Sequence, residues 1–426
     1  MSTEPTPQDR FYAIAEQGLC IGCGLCQAVA GPDKVAVTKT TTGYERPIVV
    51  GDLDHDTVDK IYDICPGTRI EGLPEALIDD RTKHDNVWGP WRRMVRAWAS
   101  DPQVRFEAAT GGVLSSLSLF LLSSRRVDFI LHAKASTSEP TFGERHLSFT
   151  QAQVMAGAGS RYGPTAPLVD VTHILDRDQP FAFIGKPCDI AALRNYARHD
   201  PRVNRLVKYY LTPVCGGFAP PPFTENFIRR SGFNPAEVTA FRYRGRGCPG
   251  PHRIETPERA LEVHYLDFWG EDESQWSLPF RCKICPDGIG EAADIAAADS
   301  WPGGSPSRED SESDPGTNAV VVRTAAGVEL MEAAEAAGAL TIEYDVTPDE
   351  MSHYQPHQMR KKYSVWARHQ GLADEGRIVP KTARLRIQDL ADELPAATND
   401  YQRQGTRRRV REGKVQEPRP AVATKT

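Results

Sequence analysis

Three cysteines set two residues apart, Cys20, Cys23 and Cys26 in "LCIGCGLCQAVAGPDKVAV" (19–37), constrain this chain more than any other feature. Thiolates at i, i+3 and i+6 on a glycine-containing loop can converge on one iron–sulfur cube. In the bacterial ferredoxin run a fourth cysteine follows four positions later, but here that position is Ala30. The next cysteine is Cys65 in "DICPGT", followed by Pro66, whose fixed φ sets a turn that aims the thiolate inward. Cys20, Cys23, Cys26 and Cys65 are therefore expected to hold one 4Fe-4S cluster. A structural zinc site would prefer paired knuckles to three evenly spaced thiols and a Cys-Pro. The intervening "KVAVTKTTTGYERPIVV" reads as two short strands around a turn at Gly43.

Compartment decides what the other cysteines are for. "MSTEPTPQDRFYAIAEQG" has no apolar core of signal-peptide length, and "GGVLSSLSLFLL" (111–122) is too short and serine-rich to span a bilayer. A cytoplasmic protein without a membrane partner is expected, and there thiols stay reduced. Nine cysteines, an odd number, then point to metal ligation rather than disulfides. A net charge of −6 argues against nucleic acid as the main partner and suits small molecules or protein docking.

Four of the remaining five cysteines stand at places that can converge. "FAFIGKPCDIAALRNYA" is an apolar strand, a turn carrying Cys188, then a helix pattern. "VKYYLTPVCGGFAPP" is a strand that ends at Cys215, and "FRCKICPDGIGEAADIAAADSW" supplies Cys282-x-x-Cys285. They make a plausible second four-thiolate cage, for an iron–sulfur cluster or for zinc. Cys248, in "YRGRGCPGP", reads as a turn residue or packed thiol rather than a ligand.

A redox chain needs an electron acceptor. "ATGGVLSSLSLFLLSS" places Thr110, Gly111 and Gly112 before a helical pattern, whose N-terminus offers N–H groups to a phosphate. A plain turn is the alternative. "MAGAGSRYGPTAPL" adds a second glycine-rich loop, with Arg161 and Tyr162 able to pair with pyrophosphate or stack on a ring. No G-x-G-x-x-G follows a strand, so a direct nicotinamide site is not supported. Strand-like runs (128–134, 181–185, 208–214, 319–323) alternate with helical patterns (112–122, 190–197, 328–338), predicting an α/β body with a mixed sheet. The polar stretch 300–317 reads as a lid, a docking loop or a mobile surface loop. Past 390 the chain is polar, basic and poorly periodic, predicting a disordered or partner-wrapping tail.

In "TGGVLSSL", "GSRYGP", "GKPCDIAALR", "PVCGGFAPP", "YRGRGCPGP", "RCKICPDGIGEAADIAAADSW" and "GTNAVVVRTAAGVELMEAA", in that order, the chain resembles the coenzyme F420 hydrogenase/dehydrogenase beta-subunit family. The resemblance spans roughly residues 10–345, with a ferredoxin-type segment in front. That family includes hydrogenase and formate dehydrogenase subunits and chlorophyll-type reductases. The resemblance implies a ferredoxin-like module (1–90), an FAD-binding region (91–175), a region with the second 4Fe-4S cluster (176–345) and a C-terminal extension (346–426). It implies that Cys188, Cys215, Cys282 and Cys285 hold that second cluster. It further implies that FAD sits against Thr110, Gly111, Gly112, Gly157, Gly159, Ser160, Arg161, Tyr162, Gly185, Lys186 and Pro187. Lys186, Asp189, Arg161 and His132 lie near these motifs as candidate proton donors, each equally readable as structural.

Two roles follow. One is a reductase that takes electrons from ferredoxin through two clusters to FAD and delivers hydride to a small organic substrate. The other is an electron-transfer subunit, docked on a hydrogenase or dehydrogenase partner and exchanging electrons with a deazaflavin. Either form is compatible with a homo-oligomer.

Overall fold

The computed structural model describes residues 4–272 and 275–423. Its N-terminal part starts with the helix Pro7–Glu16, which Thr6 caps by accepting the Asp9 N–H. The strands Val35–Lys39 and Glu45–Val49 pair antiparallel around the turn at Gly43, as expected from their alternation. A second capped helix, His55–Ile64, ends at Cys65. Its Val58, Ile61 and the first helix's Phe11, Tyr12 and Ile14 close a small core.

The body is built on one eight-stranded mixed sheet. In spatial order its strands are Leu340–Asp345, Arg93–Ala99, Asn318–Val322, Ile295–Asp299, Val207–Pro213, Phe181–Ile184, Phe129–Ala135 and Gly143–Ser148. The four from Ile295–Asp299 to Phe129–Ala135 run parallel, and the outer pairings are antiparallel. Parallel strands are covered on both faces, which is why "FAFI" and "YYL" are continuous apolar runs. Val113, Leu117 and Leu121 of the helix Val113–Ser123 pack on one face with Leu330 and Met331. Ile190 and Leu193 of the helix Pro187–Tyr196 pack on the other with Phe181, Phe183 and Tyr210. Truncating Leu117, fully buried here, to Ala would cost about 2–5 kcal/mol. The α/β expectation holds.

Strands from 91–175 and from 176–345 interleave in this sheet, so the two stretches share a core. Arg93–Ala99, outside the strand-like runs read from the sequence, is the sheet's second strand. Its Arg93 and Arg96 face outward to Asp345 and Glu343, which masks the apolar Met94, Val95 and Ala97. A smaller three-stranded sheet (Ala240–Arg242, His252–Glu255, Ala260–Val263) and the helices Pro221–Arg230 and Tyr265–Trp269 form an aromatic cluster beside the body.

The C-terminal extension is ordered up to residue 423, which corrects the expectation of a disordered tail. The helix Ala396–Arg411 lies along Pro356–Asp374, and its Arg403, Arg407 and Arg411 pair with Asp374 and Glu375. Those pairs supply what the low hydrophobicity of the stretch does not. Beyond the helix the chain returns to the N-terminal module. Glu417 grips the buried Arg46 through two bonds of 2.8 Å, and Arg419 reaches Glu16 and Asp9. The segment 300–317 is irregular but fastened, through Arg308 to Asp267 and Ser311 to His264. Among the described residues no helix is long and apolar enough to cross a membrane.

Candidate functional site

Three cavities follow one another, the middle one sharing walls with each of the other two, and most of the predicted site residues line them. The first, about 30 Å³, is walled by Cys20, Cys23, Cys26 and Cys65 together with apolar groups such as Ile14, Leu25 and Ile61. Gly22 and Gly24 both take left-handed backbone (φ +70 and +88), which folds the loop tightly between the cysteines. The N–H of Gly22 points to Cys20 Sγ at 3.4 Å, and that of Gly67 to Cys65 Sγ at 3.3 Å. Burial, with Cys20 beside it, pushes the Cys65 thiol up to about 11. Burial pushes Cys23 well above the usual thiol range, with Cys65, Asp189 and Cys26 adding to it. Four sulfurs so crowded and dry favour thiolates only around a cationic guest, and backbone N–H groups already aim at two of them. The donor set fits a cluster.

The second cavity, also about 30 Å³, gathers Cys188, Cys215, Cys282 and Cys285 from three separate segments. The turn before the helix Pro187–Tyr196 sets Cys188, and the end of strand Val207–Pro213 sets Cys215. Cys215 is tied down by its N–H to Gly288 O at 2.7 Å and by Gln358, whose amide donates to its carbonyl at 2.7 Å. Cys282 is pushed up to about 12 by burial and by Cys215 and Cys285. Lys186, Arg281 and Lys361 line this wall beside the buried Asp287, whereas among the described residues no Lys, Arg, Asp or Glu lines the first. Cys20 lines both cavities, which therefore stand back to back. Among the described residues no three or more His, Cys, Asp or Glu side chains group around the position of a single metal ion.

The third cavity is large, about 290 Å³. Gly112, Gly157, Gly159, Ser160, Arg161, Tyr162, Gly185 and Lys186 all line it, as do His132 and Asp189. It shares Cys215, Lys186, Gly217 and Phe218 with the second cavity. Leu114 and Ser115, in the first turn of the helix Val113–Ser123, also face it, where helix N–H groups lack intrahelical acceptors. Arg161 is partly buried without a carboxylate; its Nη1 donates to Phe241 O at 3.0 Å, and its buried Nε has no partner among the described residues. Burial, with Arg242 nearby, holds it below the usual arginine range. A partly buried guanidinium with a spare donor, lining the same cavity as a helix N-terminus, fits a phosphate-bearing ligand.

Other predicted residues turn out differently. Thr110 and Gly111 are not on the cavity wall. The Thr110 hydroxyl bonds to Asp299 and Arg244, and a Cβ on Gly111 would meet Asn318 Oδ1 at 2.7 Å. Pro187 lines the second cavity rather than the third. Gly112 is required by the protein itself: at φ +71 a Cβ would press on Val104 O at 3.1 Å. His132 has both nitrogens engaged, by Ser148 Oγ at 2.7 Å and Ala133 O at 3.1 Å. Burial, with His146 nearby, lowers it to about 4, so at neutral pH it carries no extra proton to give. Lys186 bonds to Asp189 at 2.7 Å, and Asp189 Oδ1 has no partner among the described residues. Cys248 lies on neither thiol cavity; its buried Sγ donates to Asp314 Oδ2 at 3.5 Å.

The sequence did not single out the rest of the large wall. Arg244, 4% exposed, pairs with Asp299 at 2.8 Å and lies over the rings of Trp301 and Tyr265. Trp269 packs edge-on to Tyr162, at 5.2 Å between centroids. Trp301 in "DSWPGG" and Arg244 in "YRGRG" stand inside recognisable motifs, but nothing local ties them together.

Two family models, both described as "Coenzyme F420 hydrogenase/dehydrogenase, beta subunit", match the chain. The model of that family's N-terminal part matches residues 94–173, and the model of its C-terminal part matches residues 178–347. Among solved structures, a chain of the xenon-derivatised F420-reducing [NiFe] hydrogenase complex from Methanosarcina barkeri is similar. The match covers 66% of this chain and 92% of that one, at 18% identity and a TM-score of 0.51, and shows a common fold. No curated protein matches.

Proposed function

Because the chain belongs to the coenzyme F420 hydrogenase/dehydrogenase beta-subunit family, we propose that it is an electron-transfer subunit of an oxidoreductase. In this reading Cys20, Cys23, Cys26 and Cys65 hold one 4Fe-4S cluster, and Cys188, Cys215, Cys282 and Cys285 hold another. The large cavity takes FAD or a similar flavin. The observation that carries the reading is the shared wall: Cys20 belongs to both thiol cavities, and Cys215 to the second and the large one. When bound, the clusters supply one-electron storage and the flavin supplies exchange between one- and two-electron carriers.

The chain's own part is placement and charge. The first-turn N–H groups of Leu114 and Ser115, with Arg161, receive phosphate. Aromatic walls at Tyr162, Tyr265 and Trp269 keep water from the ring end. Lys186 stands between the second thiol set and the large cavity, and the neighbouring Cys188 and Asp189 favour its charge against burial. It is the candidate to donate a hydrogen bond to negative charge arising there. The family matches favour the subunit over a stand-alone reductase of an organic substrate. The N-terminal thiol set favours the latter, since the chain brings its own cluster module.

Anaerobic purification tests this. The protein should be brown, with cluster and flavin absorption, and should release a flavin on denaturation. A colourless protein without iron or flavin contradicts it.

A further inference from the structure

We propose that the helix Pro356–Asp374 is the positioning element of the second thiol set, acting through Gln358 at one end and His369 at the other. The inference rests on the redox reading above and adds what holds that cage in shape. The helix lies beyond residues 94–173 and 178–347, the stretches that the family models match. Its inner face runs Gln358, Lys362, Val365, His369 and Leu372, spaced four, three, four and three apart as one helical stripe requires. Three of those five are polar, yet each is at most 3% exposed. Burying an amide, an ammonium and an imidazole is costly unless each meets a partner.

Those partners show what the helix is fastened to. Lys362 pairs with the buried Glu291 and donates to Val87 O. The other two reach the loops that carry the cysteines. Gln358 Nε2 donates to Cys215 O at 2.7 Å, with Lys361 Nζ 3.5 Å from the same oxygen. His369 Nε2 lies 3.0 Å from the carbonyl oxygen of Ile284, a residue between Cys282 and Cys285. A carbonyl only accepts, so Nε2 carries the hydrogen. The neighbouring Arg368 donates Nη1 to Lys283 O. Eleven residues of helix, about 16 Å, thus bridge both loops. Gly288, whose carbonyl takes the Cys215 N–H, leaves room for the approach: a side chain there would collide with Gln358 Oε1.

The loops have little regular structure of their own. Cys215 is followed by two glycines, and Cys282 and Cys285 sit on and just past the four-residue helix Phe280–Lys283. In the first set, by contrast, Gly22 and Gly67 turn their own N–H groups toward sulfur. A donor on a loop carbonyl presents the positive end of its dipole to the rim of the cage. That favours the extra negative charge of a reduced cluster, so the helix should raise the second site's potential as well as hold its shape. A helix that merely packed would affect stability and leave the potential alone.

The test uses the full chain purified anaerobically, with His369→Phe, Gln358→Leu and His369→Gln beside the wild type. The first two keep the bulk and remove the donor, whereas the third keeps an N–H within reach of Ile284 O. Two quantities are read: the potentials from an EPR-monitored redox titration, and the rate of iron release to a chelator. His369→Phe and Gln358→Leu should each move the second set's signal to lower potential and release its iron about tenfold faster. The first set's signal, the one lost in Cys65→Ser, should stay where it is. His369→Gln should return toward wild type on both counts. Should His369→Phe not fold, Gln358→Leu, at the other end of the helix, decides alone. Wild-type potential and iron release in the folded variants overturn the proposal, and so does an equal shift of both signals, which a general loosening would give. A wild type that carries no iron overturns the redox reading beneath it.

Discussion

The two thiol cavities have the same donors and different neighbourhoods. The first is written locally, by three cysteines on one loop and a fourth at the end of the next helix, and its other walls are apolar. The second is assembled from three segments and walled by three cations, Lys186, Arg281 and Lys361, against one carboxylate, Asp287. Cations near a cluster favour its reduced form, because reduction adds negative charge. The first set has Arg46 facing Cys20, a guanidinium that Glu417 holds in a two-bond pair, and it shares Arg281, whose guanidinium donates to Pro66 O beside Cys65. Donor identity says what can bind, and the surroundings say in which order electrons fill the sites. The second site should be the easier to reduce.

The largest way to break this comparison is to remove one cage at a time. Cys65→Ser should cost the first cluster, about half the iron, and leave the flavin, since no wall is shared between those sites. Cys215→Ser should cost the other half and weaken flavin retention too, because Cys215 lines both cavities. Equal flavin loss in both variants would contradict the shared wall. Iron and flavin assays after desalting decide it.

Next in size is the strap that ties the tail to the first module. Glu417→Ala leaves Arg46 buried and unpaired, and should destabilise the module by about 3–5 kcal/mol. Denaturant unfolding reads this directly. Glu417→Gln, which keeps the shape, should instead raise the first cluster's potential by freeing the Arg46 charge.

A smaller effect concerns pH. Burial raises the Glu45 carboxyl to about 7, despite Lys186 and Arg46 nearby. Its folded value lies above its unfolded one, so the native state binds the extra proton and stability falls as pH rises from about 4.5 through 7. Glu45→Gln should flatten that loss, worth about 1–3 kcal/mol, in denaturation curves taken at pH 5 and 8. The smallest expected effect is Cys248→Ala, which should keep full iron and an unchanged spectrum. Loss of half the iron would show that the second cage had been drawn with the wrong thiol.

How much of this the sequence discloses depends on the range of the interaction. The first thiol set, the Gly43 hairpin and the strand-turn-helix around Cys188 are local and were legible. Most of the large cavity's loops were too, since "GAGSRY" and "GKPC" combine turn residues with cations. The Thr110–Arg244–Asp299 network was not, because its members are 55 to 189 residues apart and meet only through the sheet. Thr110 and Gly111 looked like ligand contacts because a helix start looks the same whether it faces a ligand or Asn318. The tail misled for an electrostatic reason: its arginines are paired with residues on another helix, which composition does not reveal.

The most direct test of two distinct cages is an anaerobic redox titration followed by EPR, with iron counted in the same sample. The account predicts about eight irons per chain and two separable 4Fe-4S signals. The signal lost in Cys215→Ser should appear at the higher potential, and the one lost in Cys65→Ser at the lower. About four irons and a single signal, or two signals in the reverse order, would contradict it.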